Sequence, residues 1–176
     1  NTLDFLRSNG LVIPRPEQEP QQGGTLAVTF TGAVAESVVA VTARTTNATA
    51  APQPVGSAGL AYPGITSGSG ITGMARVFGL RSAAGIERSN LAVYNVSAEP
   101  VTLRISIVSG VDGRKVVLRE ADVLGPYEWH QLGNGELLDT PGVANGVAVI
   151  ERTSAQGGFG AYGVINDNAT NDGSFV

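Results

Sequence analysis

Residues 101–109 read VTLRISIVS, with Val101, Leu103, Ile105 and Ile107 alternating with Thr102, Arg104 and Ser106. Successive side chains of a strand point to opposite faces, so this alternation predicts a strand with one face in a core and the other toward water. Val111-Asp-Gly-Arg114 follows. Asp-Gly readily takes the positive φ angles of a type I′ turn, which predicts a hairpin into residues 115–123.

Working outward, β-branched or alternating runs occur at residues 25–31 (TLAVTFT), 37–45, 59–65, 72–80 and 88–96. Toward the end they occur at residues 126–132, 146–153 and 159–165. No segment sustains an apolar repeat of 3.6, and 24 Gly and 9 Pro punctuate the short runs. The pattern predicts an all-β fold, an antiparallel β-sandwich of about ten strands with polar outer faces. Its expected core is Leu26, Val28, Phe30, Val39, Val41, Leu91, Val93, Leu103, Ile105, Ile107, Val147 and Val149. A sequence repeat accompanies it: residues 39–45 (VAVTART) recur as 147–153 (VAVIERT), each followed by a loop and Ala-Tyr-x-x-Ile. The repeat predicts a duplicated hairpin, with Arg44/Tyr62 and Arg152/Tyr162 as twin sites on the sharper reading.

Residues 1–24 differ in character. NTLDFLRSNGLVI carries Leu3, Phe5, Leu6, Leu11, Val12 and Ile13, and Asn9-Gly10 is a turn signal. Residues 14–24 (PRPEQEPQQGG) hold three prolines and no large apolar side chain, the composition of an extended tether. The division expected is an extended N-terminal arm with a Pro/Gln-rich tether over 1–24 and the sandwich over 25–176. The chain begins at Asn1 without Met or leader, as expected of a mature form after signal cleavage or a piece of something longer.

Composition narrows the function classes. Hydrophobic residues make up 42% and charged residues 15% of 176, too apolar for a disordered chain. No apolar run approaches the roughly 20 residues that span a bilayer, so no membrane insertion is expected. A net charge of −4 and a single lysine argue against a nucleic-acid partner. The absence of cysteine removes disulfide and thiol chemistry.

The stretch RSNLAVYN (88–95), the VTLRISIVSG strand with its Asp-Gly turn, GVANG (142–146), FGAYGVIND (159–167) and TNDGSF (170–175) together resemble β-sandwich modules of secreted bacterial surface proteins. The resemblance spans roughly residues 37–176 and leaves the arm out. It implies a sandwich fold and a place outside the cell or on its surface. It implies no catalytic activity and carries no functional residues.

Chemistry-bearing constellations are sparse. A hydrolytic triad needs a base, and His130 in Glu128-Trp129-His130-Gln131 is the single histidine. Without a nucleophile elbow it reads as a surface side chain beside a partly buried Trp129, and no enzyme is expected. Zinc has too few ligands. Calcium would fall to Asp167, Asn171 and Asp172, although the spacing departs from the loop motif and suits a turn. Tyr127 and Trp129 are the candidates for stacking a sugar. Lys115 follows a turn and is expected to be exposed. Asn47, Asn95 and Asn168 head N-x-[ST] sequons.

The function expected is therefore a non-catalytic extracellular structural subunit, joining copies of itself head-to-tail into a filament or surface layer. Leu3, Phe5, Leu6, Leu11, Val12 and Ile13 would be donated to a neighbour's sheet edge. The alternative is a carbohydrate- or protein-binding module of a larger secreted protein.

Overall fold

A computed structural model describes residues 2–10, 25–32, 39–48, 56–66, 68–138, 145–170 and 172–176. The fold is all-β: ten strands in antiparallel sheets, with two short helices, among the described residues. In chain order these are α1 (Thr2–Ser8), β1 (Thr42–Ala48), β2 (Ser57–Pro63), β3 (Met74–Arg81), β4 (Glu87–Asn95), β5 (Val101–Ser109) and β6 (Lys115–Leu124). Then follow β7 (Trp129–Leu132), α2 (Asn134–Leu137), β8 (Asn145–Arg152), β9 (Phe159–Asp167) and β10 (Gly173–Phe175). β1 and β2 form a two-stranded sheet by themselves. The other strands make two four-stranded sheets, ordered β10-β9-β4-β7 and β3-β8-β5-β6.

The alternation in β5 does what its sequence predicts. Val101, Leu103, Ile105 and Ile107 are fully buried, in one hydrophobic cluster with Leu91 and Val93 of β4, Ile150 of β8 and Phe159 of β9. That cluster draws on both four-stranded sheets, which is what makes each sheet's inner face apolar. Hydroxyl and amide groups make the links between them. The buried Ser89 hydroxyl of β4 donates to the Arg81 carbonyl of β3 (2.7 Å) and accepts from its N–H (2.9 Å). The β5–β6 hairpin forms, but not through a type I′ turn. Gly113 alone is left-handed (φ 72°), while the Asp112 carboxylate accepts from Arg114 N–H (3.1 Å) and the Ser109 hydroxyl from Val111 N–H (3.2 Å). Capping by these two side chains stabilises a longer loop than Asp-Gly needs by itself.

Three expectations are corrected. Residues 2–8 are helical, so Leu3, Phe5 and Leu6 stand on α1 rather than on an extended arm. Asp4 in the first turn and Arg7 in the last complement the helix dipole. Asn9-Gly10, read as a hairpin signal, caps the helix instead: Asn9 N–H donates to Phe5 C=O (3.1 Å) and Gly10 (φ 89°) to Arg7 C=O (3.0 Å). Leu11, Val12, Ile13 and the tether over 14–24 lie outside the described residues.

Second, residues 25–31 belong to no strand, and Leu26, Val28, Phe30 and Val41 are exposed rather than core. Val39 and Val147 are half-buried, whereas Val149 is buried as expected.

Third, the repeat is not a duplicated hairpin. Its first copy pairs β1 with β2, but its second splits between β8 and β9, which belong to different sheets. Gly157 (φ 85°) and Gly158 sit in the connection, where a Cβ on Gly157 would lie 2.7 Å from Val101 Cγ2. Glycine lets the chain press against the core there and cross from one sheet to the other instead of turning back.

Candidate functional site

Residues 25–30 retain a strand's alternation without a strand's partner. Leu26, Val28 and Phe30 are 59%, 46% and 50% exposed. One contact fixes where the segment starts: the Thr25 hydroxyl donates to the Tyr127 carbonyl. Tyr127 has φ 57°, a left-handed conformation that costs a residue with a side chain about 1–2 kcal/mol. The turn around it is pinned from three sides. Glu128 N–H donates to Gly125 C=O (3.1 Å), Gly125 N–H donates to the Glu128 carboxylate (2.6 Å), and Asn95 donates to Gly125 C=O (2.8 Å). The segment therefore meets a rigid feature of the fold, at the entrance to β7.

Beside this entrance, His130 joins the two sheets. From β7, its Nδ1 lies 3.2 Å from the Asp122 carboxylate on β6, and its Nε2 lies 3.1 Å from Glu128. Both ring nitrogens are thus committed to carboxylates, an arrangement that suits an imidazolium donating twice and leaves no nitrogen to accept a nucleophile's proton. Burial pushes the imidazole down, but the hydrogen bonds and charges of Glu128 and Asp122 outweigh it and hold the group above its ordinary 6.5. Glu128 is held below its ordinary 4.5 by the Gly125 N–H first and by His130 second.

The sign follows from linkage. A histidine raised in the folded state contributes stability that is complete below about 6.5 and is lost as pH rises through the higher folded value. Thermal melts should therefore show wild-type protein losing more midpoint temperature than His130→Gln between pH 6 and pH 8.5. Equal losses in the two proteins would refute the tie.

On the other face of β7, aromatic side chains distant in sequence converge. Tyr162 packs against Tyr62 (centroids 5.6 Å, planes at 69°), Phe175 (5.4 Å, 61°) and Tyr94 (6.1 Å, 53°), while Tyr62 meets Phe175 at 5.1 Å and 84°. Trp129 Nε1 donates to the Tyr162 hydroxyl at 3.2 Å. Burial raises both Tyr94 and Tyr162 above the ordinary phenol value, with the Trp129 bond acting the other way on Tyr162. The two tyrosines of the repeat thus meet each other in one cluster rather than in twin sites, and Arg152 donates to the Gly157 carbonyl. Edge-to-face rings pack the β1–β2 hairpin onto the sheet. They do not form the flat surface on which a sugar stacks, and Tyr127 stands apart from them.

Phe5 is 66% exposed and Leu6 half-buried. Asp167 accepts N–H bonds from Ala169 (2.7 Å) and Thr170 (2.8 Å), which lower its carboxyl below the ordinary value, and Asp172 accepts from Gly173 (3.1 Å). These are turn caps. Asn171 lies outside the described residues, among which no cluster of three or more metal-binding side chains occurs. Lys115 is exposed and pairs with Glu151 (3.3 Å). Asn95, read as a sequon, is 1% exposed with its amide wholly engaged inside the fold.

Comparison with family models, curated proteins and solved structures finds no match to this chain.

Proposed function

We propose that this chain is a non-catalytic extracellular structural subunit, its two sheets packed as a sandwich, which joins copies of itself by donating residues 25–31 as a strand. The observation that carries the proposal is the unpaired alternating segment. Leu26, Val28 and Phe30 form one apolar face that no strand of the described chain covers. Burying such a side chain is worth about 1.5–3 kcal/mol, so three left half-open make a strong drive to find a partner. Strand addition supplies main-chain hydrogen bonds and apolar burial together. Residues 2–8 are helical, so the donor proposed is the extended segment 25–31 rather than the arm. Placement outside the cell rests on the resemblance to secreted surface modules, and no cofactor is part of the proposal.

A carbohydrate- or protein-binding module is the second reading, favoured by the aromatic cluster over Tyr62, Tyr94, Trp129, Tyr162 and Phe175. Its edge-to-face geometry supports sugar stacking less than packing of the hairpin.

Truncations separate the readings. Deleting residues 1–13 should leave assembly intact by light scattering and negative-stain microscopy, whereas deleting 1–31 should give a folded monomer. Leu26→Asp/Val28→Asp/Phe30→Asp should match the longer deletion without shortening the chain. An intact protein that stays monomeric at high concentration, or a 1–31 deletion that still polymerises, would sink the proposal.

A further inference from the structure

We infer that the acceptor for residues 25–31 is the free edge of β7 in a second copy of the chain. The inference rests on the donor reading above and adds the partner surface. An exposed sheet edge invites pairing, and proteins blunt edges they do not use with short strands, charges, bulges or covering segments.

Among the described residues, three of the four edges of the two four-stranded sheets are blunted in these ways. β10 has only three residues, and β2 lies against it: the Leu60 side chain packs on Gly173, and Gly59 N–H lies 3.4 Å from the Asp172 carboxylate. β3 breaks register with β8 between Val77 and Leu80, around the left-handed Gly79 (φ 75°). β6 breaks register with β5 twice and carries the charges of Lys115, Arg119, Glu120 and Asp122. β7 is short as well, but among the described residues no bulge and no covering strand blunts it. Its four residues hold an unbroken register with β4, from Tyr94↔Trp129 to Leu91↔Leu132, and contain no Pro, Gly, Asp, Glu, Lys or Arg.

The hydrogen-bond phase points the same way. Asn95 N–H donates to Glu128 C=O (2.9 Å). Antiparallel pairs alternate between bonded and non-bonded residues, so the main-chain groups of Trp129 and Gln131 are directed away from β4. They offer a ladder to a fifth strand. A donor whose Leu26, Val28 and Phe30 lie on the side of the buried Leu132 would extend the apolar inner face of the sheet.

Direction favours a donor from another copy. In its own chain, Thr25 is held at Tyr127, at the start of β7. A segment leaving that point along β7 would run parallel to it, while every strand pair among the described residues is antiparallel and parallel pairing is slightly weaker. A second copy can enter from the Leu132 end in the antiparallel sense.

The chain has no cysteine, so engineered thiols report the contact cleanly. Thr29 and Gln131 are both exposed and would share the outer face of the extended sheet. Oxidising a mixture of the single variants Thr29→Cys and Gln131→Cys should give a mixed dimer, reversed by reductant, that exceeds the self-dimers of either variant alone. The double variant should give a ladder of multiples. A double variant that closes only within one chain, with no mixed dimer, overturns the inference. So does absence of any Thr29–Gln131 crosslink while assembly still requires residues 14–31, an outcome that leaves the donor reading standing and moves the acceptor elsewhere. Assembly that ignores the 1–31 deletion removes the donor reading itself. Crosslinked dimers without higher rungs support the β7 acceptor and replace the open filament with a closed exchange.

Discussion

Asn95→Ala should destabilise the fold by about 3 kcal/mol, read from denaturant midpoints at unchanged slope. The side chain is 1% exposed and uses its whole hydrogen-bonding capacity. Its Nδ2 donates to the carbonyls of Glu99 (2.8 Å) and Gly125 (2.8 Å), and its Oδ1 accepts from the N–H (2.9 Å) and hydroxyl (2.7 Å) of Ser97. One amide thus closes the turn after β4 and ties it to the turn that precedes β7. Alanine would remove four hydrogen bonds that a buried amide makes to the half-buried Ser97 and Gly125 and the exposed Glu99, and each such bond contributes about 0.5–1.5 kcal/mol. Asn95→Asp keeps the acceptor toward Ser97 but turns a carboxylate on two carbonyls. Its folded-state pKa should rise, so the variant's remaining stability should fall further as pH climbs through that value. A loss for Asn95→Ala below 1 kcal/mol would mean that the turn before β7 is held by other means.

That residue shows why part of the molecule was legible in sequence and part was not. Alternation is a local signal, and where both a partner strand and a core exist it predicts the burial correctly: β5 keeps the boundaries expected of residues 101–109, and Leu91, Val93 and Ile107 are buried. Residues 25–31 carry the same signal, but alternation states only that a segment can be a strand, not which edge accepts it. Asn9-Gly10 is ambiguous for a related reason, because a left-handed glycine serves a helix C-terminus as well as a hairpin. The repeat of 39–45 at 147–153 misled because similar strands need not pair alike. The next connection, with Gly157 and Gly158, settles that instead.

The site was less legible than the fold because its parts meet only through register. Tyr94 faces Gly160 and Trp129 across two ladders, and Tyr62 arrives on a hairpin from a separate sheet. A Cβ on Gly160 would lie 2.3 Å from Tyr94 Cζ, so the glycine is the space the ring occupies. Nothing in the spacing of these residues along the chain announces that contact. His130 shows the same limit. Its pairing with Glu128 is local, but the Asp122 partner is supplied by the other sheet.

Phe159→Ala and Phe30→Ala should differ by about 3 kcal/mol or more in stability, although both remove the same atoms. Phe159 is fully exposed to the core cluster and closed to solvent, at 0% accessibility, and its backbone bonds to Ile71 in both directions (2.8 and 3.1 Å). Truncating it leaves a cavity that the paired strands cannot collapse to fill, a loss of about 3–5 kcal/mol. Phe30 is 50% exposed and lies in no strand. Its removal from dilute, monomeric protein should change stability by no more than about 0.5 kcal/mol. Under conditions of assembly the order changes, because Phe30 then contributes to the contact between copies and its loss should raise the concentration needed to polymerise. A stability loss for monomeric Phe30→Ala comparable with that for Phe159→Ala would show the segment buried in its own chain. In that case residues 25–31 complete their own sandwich, and donation to a neighbour loses its physical motive.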